Sequence, residues 1–215
     1  MSLKLTEFGL TLNGRKLIAA FNLNVADGEI VTLMGPSGCG KSSLLSAIAG
    51  NLQPPLAMIG DVLLGGISLA GIAPERRHVG RLFQDDLLFP HMSVGENLLF
   101  GIARDDRHAR QIKMTKALRD IALDGFEARA PHTLSGGQRQ RVSLMRSLLA
   151  EPRAMLLDEP FSKLDSALKS EIRSSTFELL KARQTPTLLV THDLADAPMG
   201  GRVFKIDNGE LKHVR

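Results

Sequence analysis

The chain has 215 residues, 43% hydrophobic and 23% charged, the proportions of an ordinary globular domain, which excludes a disordered, collagen-like or coiled-coil chain. Its single cysteine, Cys39, excludes an internal disulfide and any multi-cysteine zinc site and fits a reducing compartment. No run approaches the ~18 consecutive apolar residues of a membrane helix. The formal net charge of +4 comes from 27 basic and 23 acidic residues, with no block of five like charges, and reads as a mixed, solvated surface. Nine Phe stand beside no Trp and no Tyr, a composition that argues against a reader of stacked bases.

In chain order, residues 4–12 and 22–25 alternate like half-exposed strands, and the opening MSLKLTEFGLTL lacks the pattern of a secretory signal. Asp27-Gly28 marks a turn before a short buried strand over 29–34. Lys41–Ala49 reads as a helix stopped by Gly50 and then Pro54-Pro55. Residues 61–64 and 67–69, separated by Gly65-Gly66, predict a hairpin, and 79–83 another strand. Ser93 and Glu96 form a capping-box pattern before helical residues 97–103. Helices follow over 107–122 and 135–150. Three helical segments in succession predict an inserted helical subdomain over 86–147, flanked by a core made of 1–85 and 148–215. Strand and helix then alternate again: a strand at 154–157, a helix at 166–183, a strand at 187–190, a short helix from Asp193 to near Pro198, and a last strand at 202–206. This order predicts an α/β fold whose mostly parallel sheet is covered on both faces. Its ligands belong at the carboxyl ends of the strands.

Two segments carry the chemistry. Gly35-Pro36-Ser37-Gly38-Cys39-Gly40-Lys41-Ser42 follows a predicted strand and opens a predicted helix, the setting of a phosphate-binding loop. Its glycines let successive N–H groups point inward at an anion, and the helix N-terminus adds positive potential. Lys41 reaches the β- and γ-phosphates and Ser42 offers a hydroxyl to Mg²⁺; Cys39 reads as a small filler. Ala154-Met155-Leu156-Leu157-Asp158-Glu159-Pro160 is a buried strand ending in two acids. Asp158 there suits Mg²⁺ held through water, and Glu159 suits a base that orients and deprotonates the attacking water. A third segment, Leu134-Ser135-Gly136-Gly137-Gln138, has two readings. Ser135 and Gln138 make a plain capping box. Gly136 and Gly137 in the first turn cost ~1 kcal/mol each against Ala and leave bare N–H groups that suit a phosphate.

Together these motifs closely resemble the ATP-binding cassette ATPases over nearly the whole chain. GPSGCGKS (35–42) resembles their Walker A, Gln84 in LFQD the Q-loop, LSGGQ (134–138) the signature, MLLDEP (155–160) Walker B, Ser162-Lys163-Leu164-Asp165 the D-loop, and His192 in VTHD the switch histidine. The resemblance implies a P-loop NTPase core of the RecA-like kind with an antiparallel β-subdomain and a helical signature subdomain. It implies catalytic roles for Lys41, Gln84, Glu159 and His192. It implies nucleotide binding by Gly35, Pro36, Ser37, Gly38, Cys39, Gly40, Lys41, Ser42 and Ser43, and by Ser135, Gly136, Gly137, Gln138 and Asp165, and Mg²⁺ binding by Ser42, Gln84 and Asp158. The implied working form is an ATP-dependent head-to-tail homodimer, in which the signature of one subunit grips the nucleotide of the other.

Pro74-Glu75-Arg76-Arg77 and the stretch LFQDDLLFPHMSVGENL (82–98) resemble the importer cassettes for thiamine, iron, sulfate, molybdate and polyamines. This implies separate membrane permease subunits, a periplasmic or lipid-anchored solute-binding protein, a peripheral place on the cytoplasmic face of the inner membrane, and no nucleic-acid partner. An exporter or lipid-extraction ATPase, and a soluble cassette acting on nucleic acid or ribosomes, are the alternatives. Two positions depart from the family pattern. Leu12 stands where an aromatic stacks on adenine, with Phe8 four residues away and assigned to core packing. Lys163 stands in the D-loop where a small or uncharged residue is usual. Against importer cassettes that carry a further C-terminal regulatory domain, the few residues after Ile206 lead to the expectation that such regulation is absent.

Overall fold

The computed structural model describes residues 2–103, 106–162, 164 and 166–215, with backbone alone for 166–168. Strand β1 (Leu3–Leu12) turns through Asn13-Gly14, whose φ values of 50° and 75° suit the tight primed turn of a hairpin, into antiparallel β2 (Arg15–Val25). On the other edge of β1 lies antiparallel β4 (Leu56–Leu64), which turns at Gly65-Gly66 into β5 (Ile67–Ser68). Both β2 and β4 start well before the predicted 22–25 and 61–64. The β1 ladder explains why: its register shifts at Leu5/Phe8, Phe8/Leu10 and Leu10/Thr11 against β2, and at Thr6/Gly9 against β4. Bulges break the strict alternation by which a strand is recognised.

The second sheet runs in the order β10-β9-β3-β8-β7-β6. It consists of β3 (Ile30–Met34), β6 (Val79–Leu82), β7 (Ala154–Asp158), β8 (Thr187–Thr191), β9 (Val203–Asp207) and β10 (Glu210–His213). Strands β9, β3, β8 and β7 are mutually parallel. Every residue of β7 and of β8 is buried, as continuous apolar runs in a covered parallel sheet should be. Antiparallel β10 was not predicted; Asn208-Gly209, at φ 49° and 77°, turns β9 into it. The predicted helix after Asp193 is one 3-10 turn, Leu194–Asp196. Asp193 Oδ1 caps it by accepting from the Ala195 amide at 2.9 Å, and Pro198 holds Ala197 extended, at φ −71° and ψ 142°, which stops the turn from lengthening.

Helix α1 (Lys41–Ala49) lays Leu44, Leu45 and Ile48 into a core shared with Leu33, Leu156, Leu188, Val190 and the β1 residues Leu5, Phe8 and Leu10. Its end is held by Arg77, which donates to the Ala47 and Ile48 carbonyls at 3.2 and 2.9 Å. The remaining helices are α2 (Val94–Gly101), α3 (Arg107–Asp120), α4 (Gly136–Leu149) and α5 (Ser166–Ala182). The chain divides into two compact units: Met1–Arg81, Arg153–Glu159 and Phe177–Arg215 form the first, and Leu82–Pro152 with Pro160–Thr176 the second. No helix among the described residues is long and apolar enough to cross a membrane.

Candidate nucleotide site

In the first unit, β3 ends at Met34 and α1 begins at Lys41, so residues 35–40 form the loop at a parallel strand's carboxyl end. Gly38 and Gly40 sit at φ 81° and 98°, where a side chain is strained. A Cβ on Gly35 would lie 2.7 Å from Cys39 Sγ, and Cys39 packs against the core; the thiol fills space beneath the loop. Lys41 is buried, and its Nζ donates to the carbonyls of Gly35 and Pro36 at 2.8 and 2.9 Å. The ammonium is thus held across its own loop.

Strand β7 delivers Asp158 beside this loop. Ser42 Oγ donates to Asp158 Oδ1 at 3.0 Å, so a hydroxyl and a carboxylate converge. Such hard oxygen donors suit Mg²⁺ completed by phosphates and water. The next residue, Glu159, has φ 46°, a sparsely populated region for a non-glycine residue that recurs at functional sites. Its amide still donates to the Val190 carbonyl at 2.9 Å, which pins the turn to β8. His192, just beyond β8, brings Nδ1 to 3.2 Å from Glu159 Oε2. Side chains from three neighbouring strand ends therefore meet at one edge of the sheet.

A groove of about 380 Å³ opens beside them, lined by Ser37, Gly38, Gly40, Lys41, Ser42, Ser43 and Glu159 on the polar side and by Leu12, Leu17 and Leu56 on the apolar side. Phe8 is fully buried and packs edge-on against Phe21 at 5.6 Å; Leu12, 40% exposed, faces the groove instead.

A family model described as ABC transporter matches residues 18–162. The chain belongs to the ABC transporter family. It is an ATP-binding subunit homologous to import-type cassettes. It is 45% identical over 196 residues to the ABC transporter ATP-binding protein YnjD of Escherichia coli (strain K12), covering 91% of this chain and 90% of that one. It is 45% identical over 203 residues to the Fe(3+) ions import ATP-binding protein FbpC of Mesorhizobium japonicum, covering 92% of this chain. It is 41% identical over 199 residues to the spermidine/putrescine import ATP-binding protein PotA of Pseudomonas aeruginosa, covering 90% of this chain. The chain spans 55% and 53% of the length of those last two relatives.

In this ABC subunit the other predicted site residues lie in the second unit. Gln84 is exposed, with Nε2 3.4 Å from Ser162 Oγ. Ser135 caps α4: its Oγ accepts from the Gln138 amide at 3.3 Å, and Gln138 Oε1 accepts from the Ser135 amide at 2.9 Å. The capping reading of LSGGQ is therefore present in full. Gly136 is exposed. Gly137 is buried, and a Cβ there would meet Ile172 Cδ1 at 3.0 Å, so close packing on α5 is a sufficient reason for the second glycine. Asp165 and Lys163 lie outside the described residues. Sequence reasoning missed Arg81, whose Nη2 donates to Asp158 Oδ2 at 2.8 Å, and the Leu17 and Leu56 walls of the groove. None of these carries a motif.

Proposed function

We propose that this chain hydrolyses ATP to drive solute import through separate membrane permease subunits. The observation that carries the reading is the convergence of Lys41, Ser42, Asp158, Glu159 and His192 on the loop after β3. In this reading the 35–40 amides and Lys41 bind the β- and γ-phosphates. Ser42 and Asp158 hold Mg²⁺, which neutralises charge on the phosphate oxygens. Glu159 takes a proton from the attacking water, and His192 orients Glu159 through the 3.2 Å contact. Gln84 is assigned to the same Mg²⁺ by the family resemblance alone. Leu12, Leu17 and Leu56 give the base an apolar bed without an aromatic platform.

Ser135, Gly136, Gly137, Gln138 and Asp165 act on the nucleotide of a second copy, so the working form is a head-to-tail dimer closed by ATP. Import is supported by the iron and spermidine/putrescine import proteins among its relatives. Permease contact belongs to the second unit, where Leu87 and Phe100 are 53% and 63% exposed; apolar side chains so displayed suit a protein partner. The cytoplasmic face of the inner membrane and a solute-binding protein outside it complete the assembly.

The test uses Glu159→Gln. Hydrolysis should fall by at least about hundredfold while ATP still binds, and tagged variant with ATP should capture a multi-span permease from detergent-solubilised membranes. Recovery of ribosomal or DNA-repair proteins instead would overturn the transport reading and leave the ATPase chemistry standing.

A further inference from the structure

Asp158 is nine-tenths buried, its side chain 10% exposed. A carboxylate at that depth needs a compensating charge or a full set of donors. The chain supplies the charge itself. Arg81, on β6 and only 11% exposed, donates Nη2 to Asp158 Oδ2 at 2.8 Å and Nη1 to Ser46 Oγ at 2.8 Å, with the Ser42 carbonyl 3.5 Å from Nη2. Ser42 Oγ engages the other carboxylate oxygen, Oδ1, at 3.0 Å. Two of the residues assigned to Mg²⁺, Ser42 and Asp158, are thus tied to a fixed positive charge, which is itself anchored on the first two turns of α1.

We propose that Arg81 is a positioning residue that serves as the resident counterion of the metal carboxylate. In the nucleotide-free protein it neutralises Asp158 and holds it against Ser42. Metal recruitment with nucleotide then proceeds against that charge or by displacing it. A guanidinium does not give up its proton at any working pH, so only movement of the side chain ends the competition. A unit positive charge in contact with the carboxylate opposes a divalent cation strongly at this depth. The consequence is a site whose nucleotide affinity depends only weakly on Mg²⁺. This inference rests on the reading of the groove as a site for Mg²⁺ and nucleotide.

The test is calorimetric binding of ADP to the full chain, with Mg²⁺ in excess and with EDTA, for wild type, Arg81→Met and Arg81→Lys. The readout is the ratio of the metal-free Kd to the Mg²⁺ Kd. Removing the charge in Arg81→Met should raise that ratio at least about tenfold, and Arg81→Lys, which keeps it, should stay within about threefold of wild type. Equal ratios in wild type and Arg81→Met would overturn the inference while leaving nucleotide binding intact. If Arg81→Met does not fold, Ser46→Ala decides: it frees one arm of the guanidinium, so its ratio should rise above wild type, and an unchanged ratio sinks the idea. Failure of wild type to bind ADP at all would remove the nucleotide reading and this inference with it.

Discussion

Leu12 shows how one side chain sets the character of the groove. It ends β1 half-exposed, beside Leu17 and Leu56 and across from the phosphate loop. Three aliphatic walls offer a base contact area but neither ring stacking nor a directed hydrogen bond. Replacing Leu12 with Tyr adds a flat face worth about 1 kcal/mol to a purine, so Leu12→Tyr should bind ATP about fivefold more tightly in a fluorescence titration. An unchanged Kd would show that the base does not rest on this wall. Phe8 is no substitute, because edge-on packing against Phe21 consumes its ring in the core. Glu159 makes a different residue-scale point. Its left-handed φ of 46° falls on the residue just past the fully buried β7, where the amide bond to the Val190 carbonyl pins it to the sheet.

At the scale of elements, the helical unit adds a buried polar node to its apolar core. Asn97 of α2 is fully buried. Its Nδ2 reaches the carbonyls of Phe89, Met92 and Ser93 at 3.0–3.2 Å, and its Oδ1 accepts from the Phe89 amide at 2.9 Å and from Arg146 Nη1 at 3.2 Å. One amide thereby ties the loop before α2 to α4, and Arg146 also lies over the Phe89 ring at 5.1 Å. Asn97→Ala strands several buried groups at once, so it should lower stability by about 3 kcal/mol in chemical denaturation. A loss below about 1 kcal/mol would mean that water replaces the amide. The capping boxes at Ser93 and Ser135 were legible because four residues suffice to write them. The node was not, since Asn97 reads as an ordinary helix residue until residues 89, 92 and 146 surround it.

Across the whole molecule, long-range ion pairs close what the strands leave open. Arg202 grips Glu29 through Nε to Oε1 at 2.6 Å and Nη2 to Oε2 at 2.9 Å, and also donates to the Asn24 carbonyl. Burial works to raise the Glu29 carboxyl, but hydrogen bonds from Arg202 and the Ala26 amide outweigh it and hold the group below its ordinary value of 4.5. A carboxylate depressed on folding stabilises the native state above its unfolded value, and that stabilisation is lost as pH falls through the folded value. Arg202→Met should therefore cost about 1 kcal/mol at pH 7, modest because the pair is partly exposed. Its melting temperature should approach that of wild type as the pH drops below 4.5. A gap that stays constant through the acid range would assign the loss to packing instead.

Local pattern alone determined the phosphate loop, the buried runs of β7 and β8, and the two helix caps, because each is written within a few consecutive residues and acts on its own backbone. Hairpin turns were equally local: Asn13-Gly14 and Asn208-Gly209 carry the signal for the long β2 and for β10, although bulges in β1 obscured the alternation around the first. Partners were decided by topology. Ser42 meets Asp158 across 116 residues, Arg81 meets Asp158 across 77, and Glu29 meets Arg202 across 173. No periodicity encodes such pairs. They exist because β6, β7, β8, β3 and β9 lie side by side in one sheet, and hydrogen-bonded neighbours bring together side chains that the chain itself keeps far apart.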